Sequence, residues 1–445
     1  MEPNRVRRRG GARGKAPMLD LETIRTRTDE VRRNTENRRM KADIAKVLRL
    51  ADERSALIVE IDGLRSRRKD LSQQIAKAAD AARAALIEEV GRLKATLENR
   101  EPQLAAVEAE LRQEQSKIPN LTHPDSPVGP DERSNKELRR SGEIPKFDFK
   151  PRDHVAIGEG LGLVDFDAGT KVTGSNFYFL KNEAVLLELA LARFALETLR
   201  REGFALYETP DMAKMKVLEG CGFNPRGEES QIYRIEGADL GLIATAEITL
   251  GGLVMDEILP EDRLPMKVGG ISHCFRVEAG AYGRASRGLY RVHQFTKVEM
   301  FAFTRPEESE AMHLDFLRIE EQIYRHLGIP YRVVDIATGD LGGPAYRKFD
   351  LEAWMPGRGE GGEWGEITST SNCTDYQARR LGIRFRRGRG RGQKPELVHT
   401  LNGTAIAMSR TIIAILENYQ QADGSVVVPE VLRPLAGFDR IGPRG

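Results

Sequence analysis

The sequence predicts an α+β fold: an antiparallel β-sheet with helices on one side, preceded by an antiparallel two-helix coiled-coil arm. Three observations predict it. Apolar residues recur at alternating spacings of four and three in two long runs near the N-terminus. A Pro-rich stretch follows, and beyond it short strand patterns succeed one another as hairpins without a regular βαβ beat.

The first heptad run is Leu50, Arg54, Leu57, Ile61, Leu64, Arg68, Leu71, Ile75 and Ala78. The second passes through Leu86, Val90, Leu93, Leu97, Arg100, Leu104, Val107, Leu111, Glu114 and Ile118. Each seam lasts about four heptads, the signature of a coiled coil. The connection near Ala79–Ala85 is short, so the helices fold back on each other. Pro102 removes one backbone hydrogen bond and predicts a kink. Such an arm buries little surface, so it either reaches a partner or dimerises.

Residues 119–151 hold six of the 21 prolines and read as a linker, which makes 152–445 the main domain and 18–118 the N-terminal one. Strands are predicted at Phe177–Leu180, Ile243–Glu247, Lys267–Glu278, Leu289–Phe303, Tyr331–Ile336, Lys348–Ala353, Gly365–Ser371 and Leu397–Asn402. Helices are predicted at Lys181–Glu202, Glu307–Leu327 and Ala405–Tyr419.

A chain of 445 residues, 40% hydrophobic and 31% charged, can bury a sizeable core and is neither disordered nor membrane-spanning. Cys221, Cys274 and Cys373 have no metal-ligand spacing and suit a reducing, cytoplasmic setting. In residues 1–17, Arg5, Arg7, Arg8, Arg9, Arg13 and Lys15 face one acid, Glu2, so the rest of the chain is net negative although the whole is +2. This extension reads as a disordered basic arm, a targeting peptide or the result of an upstream start codon, because Met18 begins the patterned region.

Chemistry concentrates in Phe275–Glu299. From Tyr290 onward, Arg291, His293, Phe295, Lys297, Glu299 and Phe301 share one strand face. Arg276 and Glu278 share a face of the preceding strand, and a Gly-rich loop with Arg284 and Arg287 joins the two. Charge and one aromatic in a row suit a charged, flat ligand; a solvated amphipathic hairpin would show the same alternation. The helix from Ala405 is apolar nearly all round yet contains Arg410, which requires a carboxylate or a phosphate. Thr404 reads as its N-cap. Glu366, in a polar stretch running to Asp375, is a candidate Mg²⁺ ligand beside phosphate. Thr245 and Glu247, on one strand face, can recognise a hydroxyl and an ammonium. Arg379–Arg391 is a basic loop, either solvated or touching RNA phosphate. Arginines, an aromatic, carboxylates and no nucleophile fit phosphoanhydride chemistry on ATP.

These segments resemble seryl-tRNA synthetase, a class II aminoacyl-tRNA synthetase, from Met18 to about Arg433. The resemblance is carried by IPNLTHPDSPVG (118–129), KFDFKPRDHVAIGEGLGLVDF (146–166), TAE (245–247), FRVEAG…RGLYRVHQFTKVE (275–299), EITSTSNCTDYQARR (366–380) and HTLNGTAIAMSRTIIAILENYQ (399–420). Gly203 through Pro210 looks like the class II dimer-interface motif. The resemblance implies a homodimer, a class II antiparallel sheet flanked by helices, and an arm gripping tRNA(Ser). It implies serine activation by ATP through seryl-adenylate, transfer to the tRNA 3′ end, and service to selenocysteine tRNA.

By position, Arg276, Glu278 and Arg410 would be catalytic. ATP would meet Arg276, Val277, Glu278, Arg291, Val292, Phe295, Glu366, Ile367, Thr368, Ser369 and Arg410. Mg²⁺ would bind Glu366 and Ser369, and serine would bind Thr245, Ala246, Glu247, Arg276, Glu299, Asn402 and Thr404. Loop 279–288 would meet the tRNA acceptor end. Two departures stand out: Ala285-Ser286-Arg287 where many members have Asp-Thr-Arg, and Ser409 for a frequent Gly. No zinc signature is visible. A ligase acting on a carrier protein, or a non-catalytic RNA-binding protein, are the competing readings; the arm argues against the first, and Arg276, Glu299 and Arg410 against the second. His293 and Lys297 have no assigned role.

Overall fold

The computed structural model describes residues 19–223, 232–278, 288–388 and 393–443. The basic extension and most of the Gly-rich loop lie outside them, as does the end of the basic stretch at 389–391. Chain contacts divide the protein into one unit ending at Leu121 and another beginning at Thr122.

In the first unit, Asp43 caps helix α1 (Ile44–Ile75) by accepting the Lys46 N–H at 2.8 Å. Helix α2 (Asp80–Gln115) runs back after only Ala76–Ala79, because the Ala-rich stretch expected to form the turn is itself helical. Pro102 lies within α2, and the helix continues through it. Leu50, Leu57, Val107 and Leu111 pack into the core of this unit, and Leu97 is buried farther along α2. Arg54, which interrupts the seam, meets Glu108 at 2.9 Å; Arg100 meets Glu60 at 2.9 Å and Arg65 meets Glu101 at 2.8 Å. Partly exposed pairs of this kind are each worth under about 1 kcal/mol, and their main effect is on register.

The second unit is built on an eight-stranded sheet. Its strands are β1 (Lys136–Ser141), β2 (Ala205–Glu208), β3 (Met266–Phe275), β4 (Gln294–Thr304), β5 (Tyr331–Asp335), β6 (Arg347–Met355), β7 (Glu363–Thr374) and β8 (His399–Ala407). The spatial order is β1-β5-β6-β7-β8-β4-β3-β2, and only the β2–β3 pair is parallel.

Several expectations are corrected. The segment taken as a linker contributes β1 at one edge; its sequence KELRRS is almost entirely exposed and carries no apolar alternation, as suits a charged edge strand. Ile243–Glu247 is not a strand. Pairing ends at Leu242 and a helical turn begins at Glu247, since a short apolar run buried on every side has no period to reveal its type. Strand β3 stops at Phe275 and β4 starts only at Gln294, so Arg276–Glu278 and Tyr290–His293 are irregular; Glu278 adopts φ +53°. Thr404 is not a helix cap. Strand β8 stays paired with β4 as far as Ala407, and helix α5 begins at Met408 (Met408–Asn418, numbered after α3 and α4 below). Part of the basic stretch lies in the helix Tyr376–Leu381 and the strand Arg384–Arg386.

Helices α3 (Glu183–Arg201), α4 (Ser309–His326) and α5 cover one sheet face, where Val298, Met300 and Ala302 of β4 meet Leu191, Phe316, Ile323 and Ile412. The alternate residues Phe301 and Phe303 enter a second core with Ile248, Leu381 and Phe385. Helices are therefore not confined to one side: this second cluster covers one end of the opposite face and leaves its middle for the site. Within the helix Phe166–Thr173, a Cβ on Gly169 would lie 2.3 Å from the Phe177 carbonyl oxygen. Gly169→Ala should therefore lower stability by about 1–3 kcal/mol, although alanine is the better helix former; a fall in melting temperature checks the sign.

Candidate active site

Strand β4 carries Phe295, Lys297 and Glu299 on one face, as the alternation predicts. Lys297 and Glu299 are 5% and 2% exposed, and their Nζ and Oε2 atoms lie 2.5 Å apart. The Thr404 hydroxyl, on neighbouring β8, donates to Glu299 Oε2 at 3.4 Å and accepts from Lys297 Nζ at 3.4 Å. Lys297 is thus a site residue whose function the sequence did not disclose. Burial raises the Glu299 carboxyl, and Lys297 opposes the rise.

Glu247 stands in the turn after β-bridged Leu240–Leu242. Its Oε1 accepts from Gln377 Nε2 at 2.6 Å and from Asn402 Nδ2 at 2.9 Å, and its N–H donates to Thr245 Oγ1 at 3.3 Å. The contact between Thr245 and Glu247 is thus a local turn bond and not a shared strand face. Burial, with the neighbouring Glu299 charge, pushes the Glu247 carboxyl up to about 7. Gln377, on the helix Tyr376–Leu381, had no local signal marking it.

Glu366 and Ser369 are three apart, and strict alternation would put them on opposite faces. A bulge prevents this: Leu351 pairs with Thr368 and Glu352 with Glu366, leaving Ile367 as the extra residue. Both side chains consequently line one hollow. A second bulge between Thr404 and Ile406 brings Thr404 and Ala407 to the same hollow. Arg410 Nη1 reaches the Glu366 carbonyl at 3.0 Å and its carboxylate at 3.1 Å. Burial works to raise the Glu366 carboxyl, but Arg410, Lys348 and Arg276 outweigh it and hold the group below the usual carboxylate range.

The remaining predicted residues gather around this centre. Arg276 lies over the Phe295 ring at 5.3 Å and donates to the Ala244 carbonyl at 3.4 Å. Arg291 meets Glu278 at 3.4 Å, and Val292, Ile367 and Thr368 complete the wall. Tyr290 is flanked by Arg410 at 4.7 Å and Arg358 at 4.3 Å, a placement with no local signal in the sequence. A contiguous hollow of about 570 Å³ is lined by Glu247, Asn402, Arg276 and Lys348. Thr245, Ala246 and Glu299 lie fully buried beneath the surface, and Val277 is half-buried between Arg276 and Glu278. His293 is structural: its Nδ1 contacts the Arg276 carbonyl at 2.8 Å and the Tyr233 hydroxyl at 2.9 Å, and its ring stacks on Phe177.

Residues 232–419 match the family described as tRNA synthetase class II core domain (G, H, P, S and T), so the fold is that of a class II aminoacyl-tRNA synthetase. Residues 18–122 match the family described as Seryl-tRNA synthetase N-terminal domain. The serine–tRNA ligase of Rubrobacter xylanophilus is 60% identical over 427 residues, covering 96% of this chain and 99% of that protein. That of Treponema denticola is 55% identical, covering 96% and 100%. Seryl-tRNA synthetase from Pyrococcus horikoshii, solved with ATP, superposes with a TM-score of 0.85 at 39% identity over 96% of this chain and 100% of its own. The chain belongs to the seryl-tRNA synthetase family, and it is an aminoacyl-tRNA ligase that joins serine to tRNA.

The raised Glu247 carboxyl has a consequence for stability. Unfolded, it releases its proton near 4.5; folded, only near 7. The folded state therefore binds more protons between these values, and stability from this group falls as pH rises through that window. Glu247→Gln keeps the acceptor oxygen without the buried charge. It should melt at a higher temperature than the parent at pH 8, with the gain fading toward pH 4.5; thermal melts across pH check the slope.

Proposed function

We propose that serine and ATP meet in this hollow to form seryl-adenylate, and that the seryl group then passes to the 3′-terminal adenosine of tRNA(Ser) and of selenocysteine tRNA. In the first step the serine carboxylate oxygen attacks the α-phosphorus and pyrophosphate leaves. In the second, an adenosine hydroxyl attacks the acyl carbon and AMP leaves. The observation that carries the reading is the charge gathered about one hollow: two buried carboxylates, Glu247 and Glu299, together with Arg276, Arg291 and Arg410.

Glu247 and Glu299, with Thr245, Ala246, Asn402 and Thr404, receive the serine ammonium and hydroxyl. An arriving ammonium favours the ionised form of both acids. Arg276 holds the serine carboxylate against the α-phosphate, Phe295 stacks on adenine, and Glu278, Val277, Arg291 and Val292 line the nucleotide. Arg410 neutralises charge developing on departing pyrophosphate. Glu366 and Ser369 fit magnesium: the bulge aims both at the hollow, the Glu366 carboxylate is held ionised, and its side chain is 41% exposed. When bound, magnesium shields the phosphate charge against the incoming carboxylate. No role for zinc is proposed. Among the described residues no group of three or more His, Cys, Asp or Glu is arranged to hold a metal, and no helix is long and apolar enough to cross a membrane.

A homodimer is supported by the outer face of α3, where Val185, Leu186 and Leu189 are exposed, and by Tyr207 and Met212 on and beside edge strand β2. The hairpin α1–α2 is the proposed grip on the tRNA, and the loop at 279–288, almost all outside the described residues, the proposed contact to its acceptor end. With the seryl N-terminal domain present, the carrier-protein reading has no support.

Pyrophosphate exchange into ATP, assayed with several amino acids, tests the reading; exchange should depend on serine, and its absence would sink the proposal. Arg410→Ala should lower serine-dependent exchange by about 10²–10³-fold and leave tRNA affinity intact. Removing Leu50–Ile118 should do the reverse, and equal loss of both properties in both variants would overturn this division of labour.

A further inference from the structure

Lys348 and Asp350 are two apart on β6 and therefore share a face. They pair directly with Ser371 and Ser369 of β7, and paired residues of antiparallel strands direct their side chains to the same side. The alternate residues Phe349 and Leu351 belong to the core beneath the helices, which fixes the direction: Lys348 and Asp350 face the site. Lys348 lines the same hollow as Glu366, Ser369 and Arg410. Asp350 is 5% exposed, and its Oδ2 accepts from Lys348 Nζ at 3.0 Å. Its Oδ1 is buried and has no hydrogen-bond partner among the described residues.

A buried carboxylate oxygen without a donor is unfavourable, and such atoms call for a partner. The ion pair with Lys348 engages only one oxygen. The other belongs to a residue paired in register with Ser369, one of the cation ligands proposed above.

We propose that Asp350 is a further positioning residue of the cation-binding half of the site, its open Oδ1 accepting a hydrogen bond from a water held by the nucleotide-bound divalent cation. Lys348 grips the other oxygen and orients the carboxylate. This rests on the reading that Glu366 and Ser369 bind that cation. Magnesium takes one or two carboxylates plus phosphate oxygens and keeps several waters, so a carboxylate one layer out finds donors waiting. That no group of three potential ligands forms among the described residues suits a place behind the ligands and not among them.

The test uses Mn²⁺ as the probe, with a non-hydrolysable ATP analogue and the full chain, read by electron paramagnetic resonance; serine affinity is measured separately by calorimetry. Asp350→Asn should weaken Mn²⁺ binding by roughly tenfold, the usual scale for an outer-layer partner, and leave serine affinity unchanged. It should also lower the melting temperature, because Lys348 is left without its anion. Combining Lys348→Met with Asp350→Asn should recover the melting temperature but not the Mn²⁺ affinity. Unchanged Mn²⁺ affinity in Asp350→Asn, with loss in Glu366→Gln, would overturn this inference alone and make Asp350 a counter-ion for Lys348. Unchanged Mn²⁺ affinity in Glu366→Gln would instead overturn the underlying cation assignment. Parallel loss of serine and Mn²⁺ binding in Asp350→Asn, or recovery of Mn²⁺ affinity in the double variant, would show a merely structural role and also refute the proposal.

Discussion

A charge taken into the middle of a protein must find an opposite charge, and the site face of the sheet is organised by that requirement. Glu366 has Arg410, Lys348 and Arg276 around it and is held ionised. Glu299 has Lys297 and the Thr404 hydroxyl in direct contact, and Glu247 has the side-chain amides of Gln377 and Asn402; burial raises both carboxyls. The face is therefore polarised: Arg276, Arg291, Arg410 and Lys348 outnumber Glu278, Glu366 and Asp350 in one group, and Glu247 and Glu299 outnumber Lys297 in the other. In the proposed function the serine ammonium and the ATP phosphates are the complements of these two groups.

Sheet geometry makes this arrangement compatible with a core. Strict alternation would force a strand to choose, residue by residue, between the helices behind it and the ligands in front. The bulges at Ile367 and near Ala405 change that parity within adjacent strands. Ile367, Ala405 and Ile406 remain in the core, while Glu366 with Ser369, and Thr404 with Ala407, reach the hollow. A one-residue insertion thus re-aims side chains without lengthening the sheet or opening a loop.

Periodicity made the arm, the main helices and most strands readable in the sequence, because amphipathic α- and β-elements announce their period. The polar face of β4 was readable for the same reason, and Arg410 because an arginine in an apolar helix demands an anion. The rest failed for identifiable causes. Strand β1 is charged throughout, so nothing in it alternates. Thr245–Glu247 sits in a run buried all round, where period carries no information. The two bulges depend on partner strands distant in sequence, and so do the roles of Gln377 and Tyr290, which lie far along the chain from Glu247 and Arg410 respectively. Family resemblance supplied residues that the fold brings around one hollow, yet their local conformations, Thr404 in a strand and Glu247 at the head of a helical turn, came only from the structure.

Lys297 shows why such a residue escapes a reading based on sequence. By type and position it could be a surface cation, a phosphate ligand or a buried counter-ion, and only the near-complete burial of its side chain decides among them. Its ammonium touches Glu299 and Thr404, both in the end of the hollow proposed for serine, while its strand neighbour two residues earlier, Phe295, lies beneath Arg276 in the end proposed for the nucleotide. A neutral residue at this position would remove the positive charge that opposes the rise of both the Glu299 and the Glu247 carboxyls. Lys297 thus opposes the rise of the Glu299 carboxyl from β4, the strand that also carries Phe295, so the ends proposed for serine and for the nucleotide rest on one rigid element.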